Sequence, residues 1–130
     1  MRERVAMRPT NKPSIVRMPG DGNCVFHALG YPHMHHAAVR HAVVAHLRLH
    51  WDEYAPFVAE GSDYLVRMAR DGEWGDELVL RAFHHFSGRP ICVLDAHTGE
   101  VLATYTDRWK RLRMPWKRLV FDSAHYDVLE

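Results

Sequence analysis

The hydrophobic patterning predicts an α+β domain in which helices come first and a mostly antiparallel sheet comes last. Three observations carry this. Apolar residues recur at helical spacing through residues 24–86, short β-branched runs separated by turn residues fill residues 91–129, and 130 residues with 47% hydrophobic content suit one core but not two.

Residues 1–14 carry Arg2, Arg4, Arg8 and Lys12 among Pro9 and Pro13 with no hydrophobic period, and read as a loose basic leader. Folding is expected from Ile15, giving a single domain over residues 15–130. The turn cluster Pro19-Gly20-Asp21-Gly22-Asn23 precedes the apolar run Cys24-Val25-Phe26-His27-Ala28-Leu29, then Gly30 and Pro32. This is the punctuation of a short helix: the Asn23 side chain caps its start, Gly30 takes the left-handed position after its end, and Pro32 stops it. Cys24 is then the first helical residue.

Residues 35–51 contain no Gly or Pro, and Val39, Val43 and Leu47 recur every fourth residue beside Ala42. That is an amphipathic helix, with Arg40 and Arg48 expected on another face. After Gly61-Ser62, residues 63–70 read as a helix with Leu65, Met68 and Ala69 inward, which Asp71-Gly72-Glu73-Trp74-Gly75 interrupts. Helical spacing resumes over 76–86 and stops at Ser87-Gly88. The runs 91–94 and 101–105 are expected to pair, as are 118–121 and 126–129 around Asp122-Ser123-Ala124.

Lys and Arg total 17 against 16 Asp and Glu, so no whole-surface field draws the chain to nucleic acid or anionic lipid. The two cysteines, Cys24 and Cys92, and the lack of any run near the roughly 20 apolar residues of a membrane span suggest a soluble, cytoplasmic protein with free thiols. Cys92, on an apolar strand, is expected in the core.

A thiol in the first turn of a helix faces the positive end of the macrodipole and unpaired N–H groups, which favour the thiolate. The N–H groups around Gly22, Asn23 and Cys24 also point where an oxyanion forms when that thiolate attacks a carbonyl. A cysteine in an apolar run is otherwise a small buried hydrophobe. The nucleophile needs a base, and the base needs a group to orient it. His125 and Asp127, two apart on a strand, share a face, so the carboxylate can hold one ring nitrogen while the other faces the thiol; Tyr126 and Val128 face the core.

Here the residues resemble a known family. Asp21-Gly22-Asn23-Cys24-Val25-Phe26-His27-Ala28-Leu29 is similar to the nucleophile motif of the ovarian-tumour (OTU) cysteine proteases, and His125-Tyr126-Asp127-Val128 to their terminal histidine motif. Between them, the segment from Tyr64-Leu65 through Trp74-Gly75 to Asp76-Glu77-Leu78, then Gly88-Arg89-Pro90-Ile91, follows in the same order. The sequence departs from the family pattern at His27, where many members have arginine, and at Asp76, where a second glycine is common.

The resemblance implies a compact papain-like OTU fold, as in small viral or bacterial members, with a twisted sheet packed between helices. It implies a thiol deubiquitinase that cuts after the C-terminal glycine of ubiquitin or polyubiquitin, and in some viral members of ubiquitin-like modifiers. Cys24 is then the nucleophile, His125 the base and later acid, and Asp127 the orienting residue. In some members the third residue precedes the cysteine, which leaves Asp21 as the alternative. Asp21, Gly22 and Asn23 form the oxyanion loop. Trp74, Glu73, Asp76 and Tyr126 are candidate substrate contacts: Trp74 as a wall of a narrow slot or as a core residue, Glu73 and Asp76 as partners of basic residues in the ubiquitin tail or as helix-start acids. The implied enzyme is a monomer without metal or cofactor, acting in the cytoplasm, that of a host where it is an effector.

Other signals point elsewhere. His46 and His50, four apart with His33, His35, His36 and His41 nearby, have metal-ligand spacing but no glutamate base between them, and with His84 and His85 they read as scattered surface histidines. Arg108, Trp109, Lys110, Arg111, Arg113, Trp116, Lys117 and Arg118 interleave basic and aromatic residues as nucleic-acid patches do. The near-zero charge favours a hairpin connection with solvated cations and inward tryptophans. The alternatives to a protease are an inactive ubiquitin-binding module and, further off, a basic-patch nucleic-acid-binding protein.

Overall fold

A computed structural model describes residues 14–107 and 115–130. All but Ser14 of the expected leader, and Arg108, Trp109, Lys110, Arg111 and Arg113 of the basic run, lie outside the described residues. Strand β1 (Ile15–Val16) is followed by α1 (Cys24–Gly30), α2 (His36–Leu49), α3 (Trp51–Tyr54), a 3-10 turn (Ala55–Phe57), α4 (Asp63–Met68) and α5 (Glu77–Ser87). Strands β2 (Ile91–Asp95), β3 (Val101–Tyr105), β4 (Lys117–Asp122) and β5 (His125–Leu129) complete the chain.

The helix periods produce the expected core. Val39, Val43 and Leu47 of α2, Leu65 and Met68 of α4, and Val79 and Phe83 of α5 are all buried. Each such side chain stabilises the fold by roughly 1.5–3 kcal/mol on burial. Ala69 is exposed, contrary to expectation, because α4 ends at Met68 and the chain turns away. Arg40 is the larger departure: it is buried rather than on the solvent face. The helix expected over 35–51 is also two: it breaks at His50, whose backbone is not helical (φ −112°, ψ 31°), and Trp51 starts a new turn.

Gly30 closes α1 without a left-handed backbone, against expectation, since Tyr31 follows it in extended conformation. Glycine is needed there because a Cβ would lie 2.9 Å from Val39 Cγ2, so its absence lets α1 press onto α2. Gly88 takes the left-handed position after α5 as the pattern predicts.

The five strands form one sheet in the order β1-β5-β4-β2-β3. Both expected hairpins are present, β2 with β3 and β4 with β5. They join through a parallel pairing of β2 with β4, in which Val93 faces Leu119. Because β3 folds outward to one edge, the returning chain lies beside β2 in the same direction and the sheet is mixed, so β3 and β4 are not neighbours and the connection between them is not the hairpin expected of the basic run. At the other edge β1 pairs antiparallel with β5, Ile15 opposite Leu129. Cys92 alternates with the buried Ile91 and Val93 and is half-buried, not in the core.

Lys117 and Trp116 exchange their expected places. Trp116 is 47% exposed, whereas Lys117 is buried at the start of β4, where its Nζ donates to the Tyr31 carbonyl. Burial pushes the Lys117 ammonium down to about 8.

Candidate active site

Cys24 opens α1 half-buried, packed against the core. The Tyr126 N–H, at the start of β5, donates to Cys24 Sγ at 3.5 Å. Helix start and terminal strand therefore meet at the thiol. Burial pushes that thiol above its ordinary value, and the charge of Asp127 adds to the rise, while the N–H groups of Tyr126 and Val25 pull it back. The thiolate-favouring effect expected of a helix start is outweighed here by desolvation.

On β5, His125 Nε2 lies 2.7 Å from Asp127 Oδ1. A carboxylate only accepts, so the ring proton on this side sits on Nε2 and Nδ1 is left for proton exchange. Asp127 is 4% exposed and well anchored. Its Oδ1 also accepts the Met18 N–H at 2.8 Å, and its Oδ2 lies 3.3 Å from Arg17 Nη1. Arg17 and Met18 escaped the sequence reading; the signal for them was the apolar pair Ile15-Val16, which adds β1 to the edge of β5.

Asp21 is occupied elsewhere. Its Oδ1 accepts the Asn23 N–H at 3.0 Å and its Oδ2 lies 3.3 Å from His27 Nε2. These contacts hold the Asp21 carboxyl down at about 2. The structure thus brings His125 to Asp127 and gives Asp21 to the turn.

The turn itself is pinned to the loop after α4. Gly22 has a left-handed backbone (φ +84°), and a Cβ on it would meet the Gly72 carbonyl oxygen at 2.1 Å. Asn23 stands at the cap position of α1, and its carbonyl accepts the His27 N–H at 2.9 Å. Its side chain, against expectation, caps nothing. Instead Oδ1 accepts from Arg40 Nη2 at 2.6 Å and the Gly72 N–H at 2.8 Å, and Nδ2 donates to Asp71 Oδ1 at 3.2 Å. The Asn23 N–H, one of the expected oxyanion donors, is already given to Asp21.

Arg40 is the residue that periodicity concealed. Nη1 donates to the Met68 carbonyl at 2.9 Å and Nη2 also reaches the Glu73 carbonyl at 2.8 Å, with the guanidinium 3.9 Å from the Phe26 ring centroid. A signal existed: position 40 is three before Val43 and four before Val44, inside the stripe that α2 buries.

Of the candidate substrate contacts, Trp74 is 62% exposed and not a core residue. Its neighbour Gly75 packs on α1 so closely that a Cβ would lie 2.4 Å from Val25 Cγ1. The carboxylates of Glu73 and Asp76 serve the fold. Glu73 pairs with Arg67 at 2.6 Å, and Asp76 caps α5 by accepting from Leu78 N and Val79 N while receiving the Tyr64 hydroxyl at 2.8 Å. Tyr126 is buried against Phe121, and its backbone N–H meets the site.

The histidines are not simply scattered on the surface. His84 is buried with Nδ1 against the Arg89 carbonyl, and His46 and His85 share the Tyr54 hydroxyl. Among the described residues no group of three or more His, Cys, Asp or Glu is placed to hold a metal ion, and no helix is long and apolar enough to cross a membrane.

A small α+β domain with a cysteine at a helix start against a strand carrying a joined His–Asp pair has the build of a papain-like cysteine protease. The chain belongs to the OTU family: the signature described as OTU-like cysteine protease matches residues 19–126. It is 44% identical over 72 residues, 52% of this chain and 20% of the other, to OVARIAN TUMOR DOMAIN-containing deubiquitinating enzyme 10 of Arabidopsis thaliana. In fold it is similar to the OTUD1 OTU domain (TM-score 0.78, 22% identity, covering 91% of this chain and 85% of that one). It is also similar to an ovarian tumor domain solved in complex with ubiquitin (TM-score 0.75, 17% identity, covering 90% and 69%). The chain spans no more than 49% of the length of the curated relatives it matches.

Proposed function

We propose that residues 15–130 are one catalytic domain of a thiol-dependent deubiquitinase, which hydrolyses the isopeptide or peptide bond after the C-terminal glycine of ubiquitin. The observation that carries this is the meeting of Cys24 with β5, where His125 is held by Asp127 at 2.7 Å. Family membership, and the ubiquitin bound to a domain of the same fold, support the substrate class.

In this reading His125 takes the thiol proton through Nδ1 as Cys24 attacks the glycyl carbonyl, then returns it to the departing lysine amine. Water, deprotonated by the same imidazole, cleaves the thioester and frees Cys24. Asp127 fixes the ring and stabilises the imidazolium. N–H groups at the start of α1 receive the oxyanion. The exposed Trp74 walls the slot that admits a Gly-Gly end and excludes larger side chains.

The test is incubation with a ubiquitin probe bearing a thiol-reactive C-terminus. A covalent adduct on the wild type and none on Cys24→Ala supports the reading. Binding without adduct in a folded sample overturns it in favour of an inactive ubiquitin-binding module. A probe built on a ubiquitin-like modifier, run alongside, reads whether such modifiers are substrates too.

A further inference from the structure

Arg40 is 5% exposed, and its hydrogen bonds go to neutral oxygens: the Met68 and Glu73 carbonyls and Asn23 Oδ1. Its Nε is buried with no partner among the described residues. Removing a cation from water onto such acceptors is expensive, and an apolar side chain would fill the same space over Phe26 without that penalty. What the guanidinium does that an apolar chain cannot is join two segments. One ends at Cys24, and the other carries Trp74.

The join, with the Gly72 N–H and Asp71, decides where the Asn23 side chain points. An asparagine at a helix cap ordinarily turns its oxygen onto the N–H groups of the second and third helical residues, here Val25 and Phe26, and the Val25 N–H is one of the groups that favour the Cys24 thiolate. Here Oδ1 is 2.6 Å from Arg40 Nη2 and caps nothing, and the same nitrogen reaches the carbonyl next to Trp74 at 2.8 Å. We propose that Arg40 is a positioning residue: together with the Gly72 N–H and Asp71 it holds the Asn23 side chain off the start of α1, leaving the Val25 N–H to the Cys24 thiolate, and it locks the Trp74 loop to the cysteine turn.

The inference rests on Cys24 being the nucleophile, and its test has one readout free of ubiquitin. Arg40→Lys and Arg40→Met, checked for folding by circular dichroism, are compared with wild type in kcat and KM on a ubiquitin carrying a fluorogenic leaving group. They are also compared in the pH profile of Cys24 alkylation by iodoacetamide. A capped helix start lowers kcat by about 10–100-fold, leaves KM within about threefold and moves the alkylation midpoint to higher pH. With Asn23→Ala also present, the Arg40 substitution adds little to the loss in kcat, because no side chain remains to cap. Unchanged kcat and alkylation in a folded Arg40→Lys protein, or fully additive losses in the double variant, overturn the proposal. If both Arg40 variants fail to fold, Asn23→Ala alone decides. Its alkylation midpoint is expected at the wild-type pH, since no side chain remains to cap α1, and a midpoint moved up by about one pH unit or more overturns the proposal. Absence of a ubiquitin adduct on wild type removes the deubiquitinase reading, while the alkylation comparison still reads Arg40.

Discussion

His125 and His46 are both half-buried, and each places Nε2 within hydrogen-bond reach of an oxygen: Asp127 Oδ1 at 2.7 Å for the first, the Tyr54 hydroxyl at 2.8 Å for the second. Their surroundings give them different chemistry. The Asp127 carboxylate is held by Met18 and Arg17, so it fixes one ring nitrogen as a donor and leaves the other facing away from it. The Tyr54 hydroxyl is shared between His46 and His85 and has one proton, so one ring must donate to it and the other accept. That arrangement holds only while one ring is neutral. A histidine becomes a candidate base through an anchored carboxylate and a nearby nucleophile; joined to a phenol among three helices, it is structure.

The largest effects belong to the first cluster. Cys24→Ala is expected to abolish turnover of a fluorogenic ubiquitin substrate. Asp127→Asn, which keeps the shape but removes the charge and permits the wrong ring tautomer, lowers kcat by about 100-fold or more, with a melting curve close to wild type. Full activity in Asp127→Asn would shift the orienting role to Asp21. By contrast, His46→Phe leaves kcat within about twofold, a neutral result that only a structural cluster gives.

Next in size is the pH dependence of activity. Burial raises the Cys24 thiol, so near neutrality the resting group is the thiol and its proton must pass to a neutral His125. Acid removes that acceptor. Activity should therefore climb as pH rises from about 5 to about 8, read as initial rates on the same substrate. A flat profile across that range contradicts the assigned base.

The cysteine turn, the His-x-Asp strand and both hairpins were legible because each is local: turn glycines, a two-residue period and punctuation within a few positions decide them. What escaped depends on distant chain. The parallel β2–β4 pairing follows from where β3 goes, and nothing inside either strand encodes its direction. Asn23 has the chemistry of a cap, yet residues 17 and 49 positions away compete for its oxygen and win. Charged type alone put Arg40 outside and Lys117 in solvent, although both occupy positions where the buried pattern continues. For Trp74 residue type alone left an exposed wall and a core position equally open, and the indole is exposed while its neighbour Gly75 packs on Val25.

A smaller effect separates the two clusters by stability. Tyr54→Phe removes the shared hydroxyl and is expected to cost about 1–2 kcal/mol, lowering Tm by several degrees with little change in kcat. The smallest is the acid response of the second cluster. Burial lowers both His46 and His85 from their ordinary 6.5, and the charges of neighbouring histidines lower them further. The unfolded chain then binds protons at a higher pH than the folded one. The cluster's contribution is whole above about pH 6.5 and is lost as pH falls through that value toward the folded-state one. Tm of wild type should drop between pH 7.5 and pH 5.5, and the drop should be shallower in His46→Phe, which removes one of the titrating groups. Equal slopes in the two proteins would place the acid sensitivity elsewhere and leave Tyr54 with two rings whose protonation the fold does not oppose.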